Sequence, residues 1–226
     1  MKSYKYLPII TGIFSATLLI SNTLDNKIFE LFGLALPAGI ILFPLAYIFG
    51  DILTEVYGYA SSRKVIWTGF FSLILMTACY MLAEALPAAS FWKNQESFSL
   101  ILGKVPRIVL ASMVAYFAGE FVNSFTVAKI KVKSKGKNMS FRFILSTIFG
   151  QAVDTSVFVL IAFTGLMDVS SLLQITFSAW LFKVSWEIIA LPLTLPVVKW
   201  LKKAETEDYY DVDTNFNPFI ISKENE

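Results

Sequence analysis

The sequence predicts an all-helical integral membrane protein, a bundle of six transmembrane helices. Three observations carry that expectation. Of 226 residues, 56% are hydrophobic and only 16% charged, whereas a soluble domain of this size needs nearer a quarter charged to cover its surface. Six stretches are apolar for long enough to cross roughly 30 Å of hydrocarbon, which takes about twenty helical residues. Lysine and arginine, finally, gather in alternate connections, the asymmetry that orients membrane proteins.

The spans are expected at about 6–24, 31–57, 65–86, 107–129, 142–167 and 170–200, followed by an acidic tail over 204–226. Lys2 and Lys5 precede an apolar run without a small-x-small cleavage site, which reads as a first spanning helix rather than a cleaved signal. The second run is uncharged from Leu31 to Phe49 and is read as one helix continuing to Tyr57. Pro44 falls inside it and would free the carbonyl of Ile40, either lining a cavity or only kinking the helix. The third run, Val65–Ala83, is uncharged. The fourth carries Glu120, with Ala111, Ala115 and Gly119 forming a small-residue packing stripe. The fifth carries Asp154, and the sixth Lys183 and Glu187.

With the N-terminus inside, the cytoplasmic segments hold 14 lysines and arginines and the external ones only Lys27, Lys93, Lys104 and Arg107. Both termini are therefore expected in the cytoplasm. The alternating lysines from Lys129 to Lys137 read as an anchor beside anionic headgroups, not as a nucleic-acid surface. The external segment Pro87–Pro106, half apolar and bearing Phe91 and Trp92, is either a lid or an interfacial anchor. There is no histidine, and Cys79 is the one cysteine, which excludes intrachain disulfides, His-based triads and the common zinc and haem ligand sets. Asp211, Asp213 and Asn215 imitate the start of a calcium loop, but Phe216 and Ser222 stand where glycine and glutamate are required. No cofactor is expected.

An ionisable group at mid-membrane costs at least roughly 2.5–3.5 kcal/mol on insertion scales, so such groups face the bundle interior. Asp51 and Glu55 share a face of the second span, and Glu120, Asn123 and Ser124 a face of the fourth. Gln151 and Asp154 share a face of the fifth, and Lys183 and Glu187 a face of the sixth. Counting inward from the span ends puts Glu120, Asp154 and Lys183 at similar depth. One ammonium between two carboxylates is expected, either as a lock between helices or as part of a binding site.

These motifs also carry a resemblance. Phe43-Pro44-Leu45-Ala46-Tyr47, Asp51, Glu55-Val56-Tyr57-Gly58-Tyr59 and Arg63-Lys64-Val65-Ile66-Trp67 are similar to the signature of the bacterial queuosine precursor transporter family. So are Phe91-Trp92 with Asn94-Gln95-Glu96, Val105-Pro106-Arg107-Ile108, Gly119-Glu120 with Asn123-Ser124, and Gly150-Gln151 with Asp154. Lys183 with Glu187 and the tail Glu207-Asp208, Asp211, Thr214 and Phe216-Asn217-Pro218-Phe219 complete it, over nearly the whole chain. Ala60-Ser61-Ser62 departs from the pattern, which has basic residues before Arg63.

The resemblance implies uptake of 7-cyano- and 7-aminomethyl-7-deazaguanine across the bacterial inner membrane. It also implies a bundle like the membrane-embedded substrate-binding subunits of vitamin importers. The partners expected are that small molecule and the lipid bilayer, with a homo-oligomer possible and no nucleic acid. Candidate substrate contacts are Asn22, Asp51, Trp92, Gln95, Tyr116, Glu120, Asn123, Gln151, Asp154, Lys183 and Glu187, and Asp51 or Glu55 could gate the site or carry a proton. A carboxylate can accept the N–H and exocyclic amine of a guanine edge side by side, an amide can pair with O6, and an aromatic ring can stack on the base. Two other readings stand beside a self-sufficient transporter. One is a binding subunit served by a separate ATPase, since no P-loop is present. The other is an intramembrane aspartyl protease built on Asp51 and Asp154, which would require the two to adjoin.

Overall fold

The computed structural model describes residues 4–24, 27–31, 34–103, 106–165 and 168–219. Lys2, Lys104, Ser222 and Lys223 lie outside the described residues. Helix α1 is Leu7–Leu24. A short antiparallel pair follows, β1 (Ile28–Leu31) with β2 (Leu34–Pro37), in the register Phe29 opposite Leu36. A 3-10 turn over Ala38–Ile41 leads to α2 (Phe43–Ile52), which widens into π-helical turns over Leu53–Tyr57. Next come α3 (Tyr59–Ala85), a short α4 (Gln95–Phe98) with a π turn over Ser99–Gly103, α5 (Pro106–Lys133), α6 (Met139–Phe163) and α7 (Val169–Glu205).

The expected second helix over 31–57 is therefore corrected. Its first part is strand and 3-10 turn, and the α-helix begins only at Phe43. Pro44 falls in the first turn of α2, where a missing N–H costs no helical bond, so it starts the helix instead of kinking it. Pro37, which ends β2, likewise cannot donate to a helical ladder. The interior prolines are elsewhere. Pro192 and Pro196 lie inside α7 and leave the carbonyls of Ile188 and Pro192 without their helical donors.

Among the described residues, α1, α3, α6 and α7 are long and apolar enough to cross a membrane. Their outward faces are apolar too: Leu75, Phe71, Leu173, Phe177, Ile189 and Leu193 are all exposed. The polar groups are inside, an inversion of the soluble pattern that lipid as solvent requires. The start of α1 and the end of α7 meet at one face. The Glu205 carboxylate at the end of α7 accepts from the backbone N–H of Lys5 (2.9 Å) and Tyr6 (2.7 Å), just before α1, and from the Tyr57 hydroxyl (2.9 Å).

After α7 the chain does not trail away. Thr206 takes a left-handed conformation (φ 51°), and Glu207 N–H bonds back to Lys202 O. Residues 207–219 then fold under the bundle as a strap. Tyr59 N–H donates to Asp211 (3.0 Å), Arg63 donates to the carbonyls of Asn215 and Asn217 (2.8 Å each), and Trp67 donates to the Pro218 carbonyl (2.8 Å). Phe216 packs between Tyr59 and Phe125, with Lys129 over its ring. Gly58 joins α2 to α3 at φ 80°, and a side chain there would strike the Tyr209 ring of the strap.

Candidate functional site

Three glycines decide where the polar residues meet. Gly119 on α5 and Gly150 on α6 face each other so closely that a Cβ on either would stand 3.0–3.1 Å from the other's carbonyl oxygen. That approach sets Asn123 against Gly150 and Asp154 against Gly119. Gly50 on α2 makes room in the same way, because a side chain there would overlap the Glu120 carboxylate. Each glycine is followed by a polar residue: Gly50-Asp51, Gly119-Glu120 and Gly150-Gln151. The glycines admit close backbone contact, and their neighbours fill the space between helices.

The resulting cluster is sealed. Asp51 and Gln151 are 1% exposed and Glu120 and Asn123 2%. Asp51 Oδ1 accepts from Asn123 Nδ2 (3.2 Å) and Ser146 Oγ (3.5 Å). Helix α7, which packs against α2, carries Glu187 at 3% exposure. Glu120 accepts only from Ser124, at a long 3.5 Å, and has no ion-pair partner among the described residues. Lys183 Nζ lies 2.5 Å from Asp154 Oδ2. The expected compensation therefore holds for Asp154 and not for Glu120. Several buried polar atoms have no hydrogen-bond partner: Asp51 Oδ2, Glu120 Oε2, Asn123 Oδ1, both amide atoms of Gln151, Thr155 Oγ1 and Glu187 Oε1. Buried polar groups are normally paired. These unpaired acceptors and donors are carried by α2, α5, α6 and α7, and groups of this kind are what a polar ligand would engage.

Three of the other expected contacts, Asn22, Gln95 and Trp92, engage different neighbours. Asn22 donates to the Leu18 carbonyl of its own helix (3.0 Å). Gln95 donates to Ser99, one turn along its own segment. Trp92, 45% exposed, lines a shallow apolar hollow with Phe98, Ile101 and Leu102. Among the described residues, no charged group lines that hollow. Tyr116, one turn before Glu120 on α5, is half-buried against Phe14 of α1.

Glu55 belongs to a second cluster, at the face where α1 begins and α7 ends. Arg142 Nη2 (2.6 Å) and Lys202 Nζ (2.5 Å) bind its carboxylate, and Lys131 Nζ stands 3.7 Å away. Lys131 also donates to the Glu55 carbonyl, to Asp208 and to the Tyr209 carbonyl, each at 2.6 Å. Lys202 reaches Asp208 as well (2.8 Å). Lys131 and Arg142 are fully buried, and the burial of Lys131 corrects the reading of the whole Lys129–Lys137 run as headgroup anchors. Burial works against the charged form of Asp208, but the hydrogen bonds and charges of Lys131 and Lys202 outweigh it and hold the carboxyl below its usual range. Sequence reasoning missed Lys131, Arg142 and Lys202 as partners of Glu55, because each is also an ordinary inside-flanking cation. It missed Ser146 and Thr155 because serine and threonine are common in membrane helices for packing alone. Asp211 serves the strap, and no metal-binding group of three or more acidic or cysteine residues occurs among the described residues.

Comparison with known proteins agrees with this architecture. Residues 37–197 match the family model described as "Putative vitamin uptake transporter". The chain is 28% identical over 180 residues to a Bacillus subtilis (strain 168) protein named "Probable queuosine precursor transporter", with 79% of each chain covered. No solved structure matches. The family match spans more than two-thirds of the chain and includes Asp51, Glu120, Gln151, Asp154 and Glu187. The chain belongs to the vitamin uptake transporter family and is a multi-pass membrane protein.

Proposed function

We propose that this protein imports 7-deazaguanine precursors of queuosine, 7-cyano- and 7-aminomethyl-7-deazaguanine, across the bacterial inner membrane. It crosses the membrane six times with both termini in the cytoplasm. The observation that carries the reading is the sealed cluster of unpaired acceptors and donors at Glu120 and Gln151. Glu120 accepts the ring N–H and exocyclic amine of the guanine edge, and Gln151 donates to O6. Asn123 is the poorer donor to O6, since its amide N–H already serves Asp51, and its Oδ1 accepts from the ligand instead. Asp154 and Lys183 form one wall as an ion pair, and Tyr116 lies on the face of α5 that could stack on the base. The name of the Bacillus relative supports the substrate class.

Because these groups are nearly inaccessible, a ligand enters and leaves only when helices part, which supports alternating access by a secondary or facilitative transporter. Purified protein should bind radiolabelled 7-cyano-7-deazaguanine, and liposomes containing it alone should take the compound up. Glu120→Gln should weaken binding at least tenfold, since hydrogen bonds to a charged group contribute about 1.5–3 kcal/mol. Binding without uptake would favour a separate ATPase partner. Unaltered affinity in both Glu120→Gln and Gln151→Leu would place the site elsewhere.

A further inference from the structure

We propose that Thr155 reads the 7-substituent of the ligand, its hydroxyl donating to a nitrile nitrogen or accepting from an aminomethyl group. The inference rests on the proposed import of 7-deazaguanines, with Gln151 at O6. On α6, Gly150 and Asp154 form the line of residues held against Gly119 of α5. Gln151 and Thr155 form the next line round the helix, four residues and about 6 Å apart. They are 1% and 2% exposed. Both amide atoms of Gln151 and the Thr155 hydroxyl have no hydrogen-bond partner among the described residues.

An unpaired hydroxyl is unexpected here, because a helix offers threonine a partner of its own. The side chain can turn back to the carbonyl four residues earlier. Thr126 of α5 does so at 2.7 Å, and Thr176 and Thr194 of α7 at 2.8 and 3.2 Å. Thr194 is completely buried, so burial does not prevent that bond. Thr155 makes no such bond to the Gln151 carbonyl. A hydroxyl shut away from water and off its own backbone is costly unless some further group answers it. The ligand supplies that group. O6 and the 7-substituent lie on the same edge of a 7-deazaguanine, so the residue one turn from the O6 donor meets the substituent. A nitrile nitrogen only accepts a hydrogen bond, and a protonated aminomethyl group only donates. A hydroxyl serves either by rotating about its C–O bond, whereas a carboxylate would suit the amine alone and an ammonium the nitrile alone.

The test pairs a change in the residue with a change in the ligand, measured as equilibrium binding to purified protein. Thr155→Val keeps the shape and removes the hydroxyl. It should lose about tenfold in affinity for 7-cyano- and 7-aminomethyl-7-deazaguanine. For 7-deazaguanine, which has only hydrogen at that position, the loss should stay below about twofold. Thr155→Ser, which keeps the hydroxyl, should bind all three compounds nearly as the wild type does. An equal loss on all three compounds, or no loss on any, overturns the proposal. A second measurement needs no variant. The wild-type protein should bind 7-ethynyl-7-deazaguanine, a linear analogue without the acceptor nitrogen, about tenfold more weakly than the nitrile. Equal affinity for the two overturns the proposal as well. If the wild type binds none of these compounds, the 7-deazaguanine reading fails and this inference falls with it. If it binds them but Thr155→Val does not discriminate among them, the import reading stands and Thr155 is not its reader.

Discussion

Arg142 and Glu55 show how a single residue can be decided by its surroundings. Glu55 is on the π-helical turns after α2, Arg142 is one turn into α6, and both are fully excluded from solvent. Neither could be tolerated alone, because an unpaired buried charge keeps the whole desolvation penalty and gains nothing in return. Arg142→Met should therefore destabilise the protein by about 3–5 kcal/mol, the usual cost of breaking a buried pair from one side. Thermal unfolding in detergent would check this, and an unchanged midpoint would mean that Lys131 and Lys202 suffice to hold Glu55. Glu120 is the opposite case. It is as deeply buried but has only Ser124 as a partner, so its replacement by glutamine should spare stability and cost ligand affinity. Residues of similar burial thus divide into structural and functional by whether their polar atoms are already answered.

At the scale of elements, the strap 207–219 and the α5–α6 crossing divide the work. The crossing, with Gly119 on Gly150, is the rigid part that presents Glu120, Asn123, Gln151 and Asp154 to one space. The strap ties α3, α5 and α7 together through Asp208, Asp211 and the carbonyls of Asn215, Asn217 and Pro218. Since the Asp208 carboxyl is held below its ordinary value, its anchoring is fully present above the unfolded-state pKa of about 3.9 and is lost only as pH falls through the lower folded value. Limited proteolysis of the strap should therefore be unchanged between about pH 5 and 8, far above that window. The double variant Asp208→Asn, Asp211→Asn should be cleaved there several-fold faster at neutral pH. Equal cleavage rates would show that the aromatic packing of Phe216 alone holds the strap.

For the whole molecule, the meeting of Lys5 and Tyr6 with Glu205 puts the start of α1 and the end of α7 at one face. Six is the number of crossings proposed. With Cys79 replaced by serine, single cysteines at Ser90 and Ser134 should react oppositely with a membrane-impermeant reagent added outside intact cells, the first labelled and the second protected. Labelling of both or neither would refute the topology. Hydrophobic run length alone identified the long helices, because lipid demands some twenty apolar residues regardless of neighbours. It failed at 31–57, where an apolar composition also suits a strand, and Pro44 could be read as a kink as easily as a helix start. Periodicity put Glu120 with Asn123 and Gln151 with Asp154 on shared faces, since a helix face is a local property. It could not reveal that Gln95 turns to Ser99, that Trp92 lines an apolar hollow, or that Lys183 chooses Asp154. Those depend on which helices touch and at what height, and small residues at the crossings set that with little imprint on hydropathy. The sequence by itself determined a membrane bundle with polar groups turned inward, because solvation and helical period act residue by residue. Only the tertiary structure decided which charges are answered and which are left for a ligand, because pairing depends on distances between segments far apart in the chain.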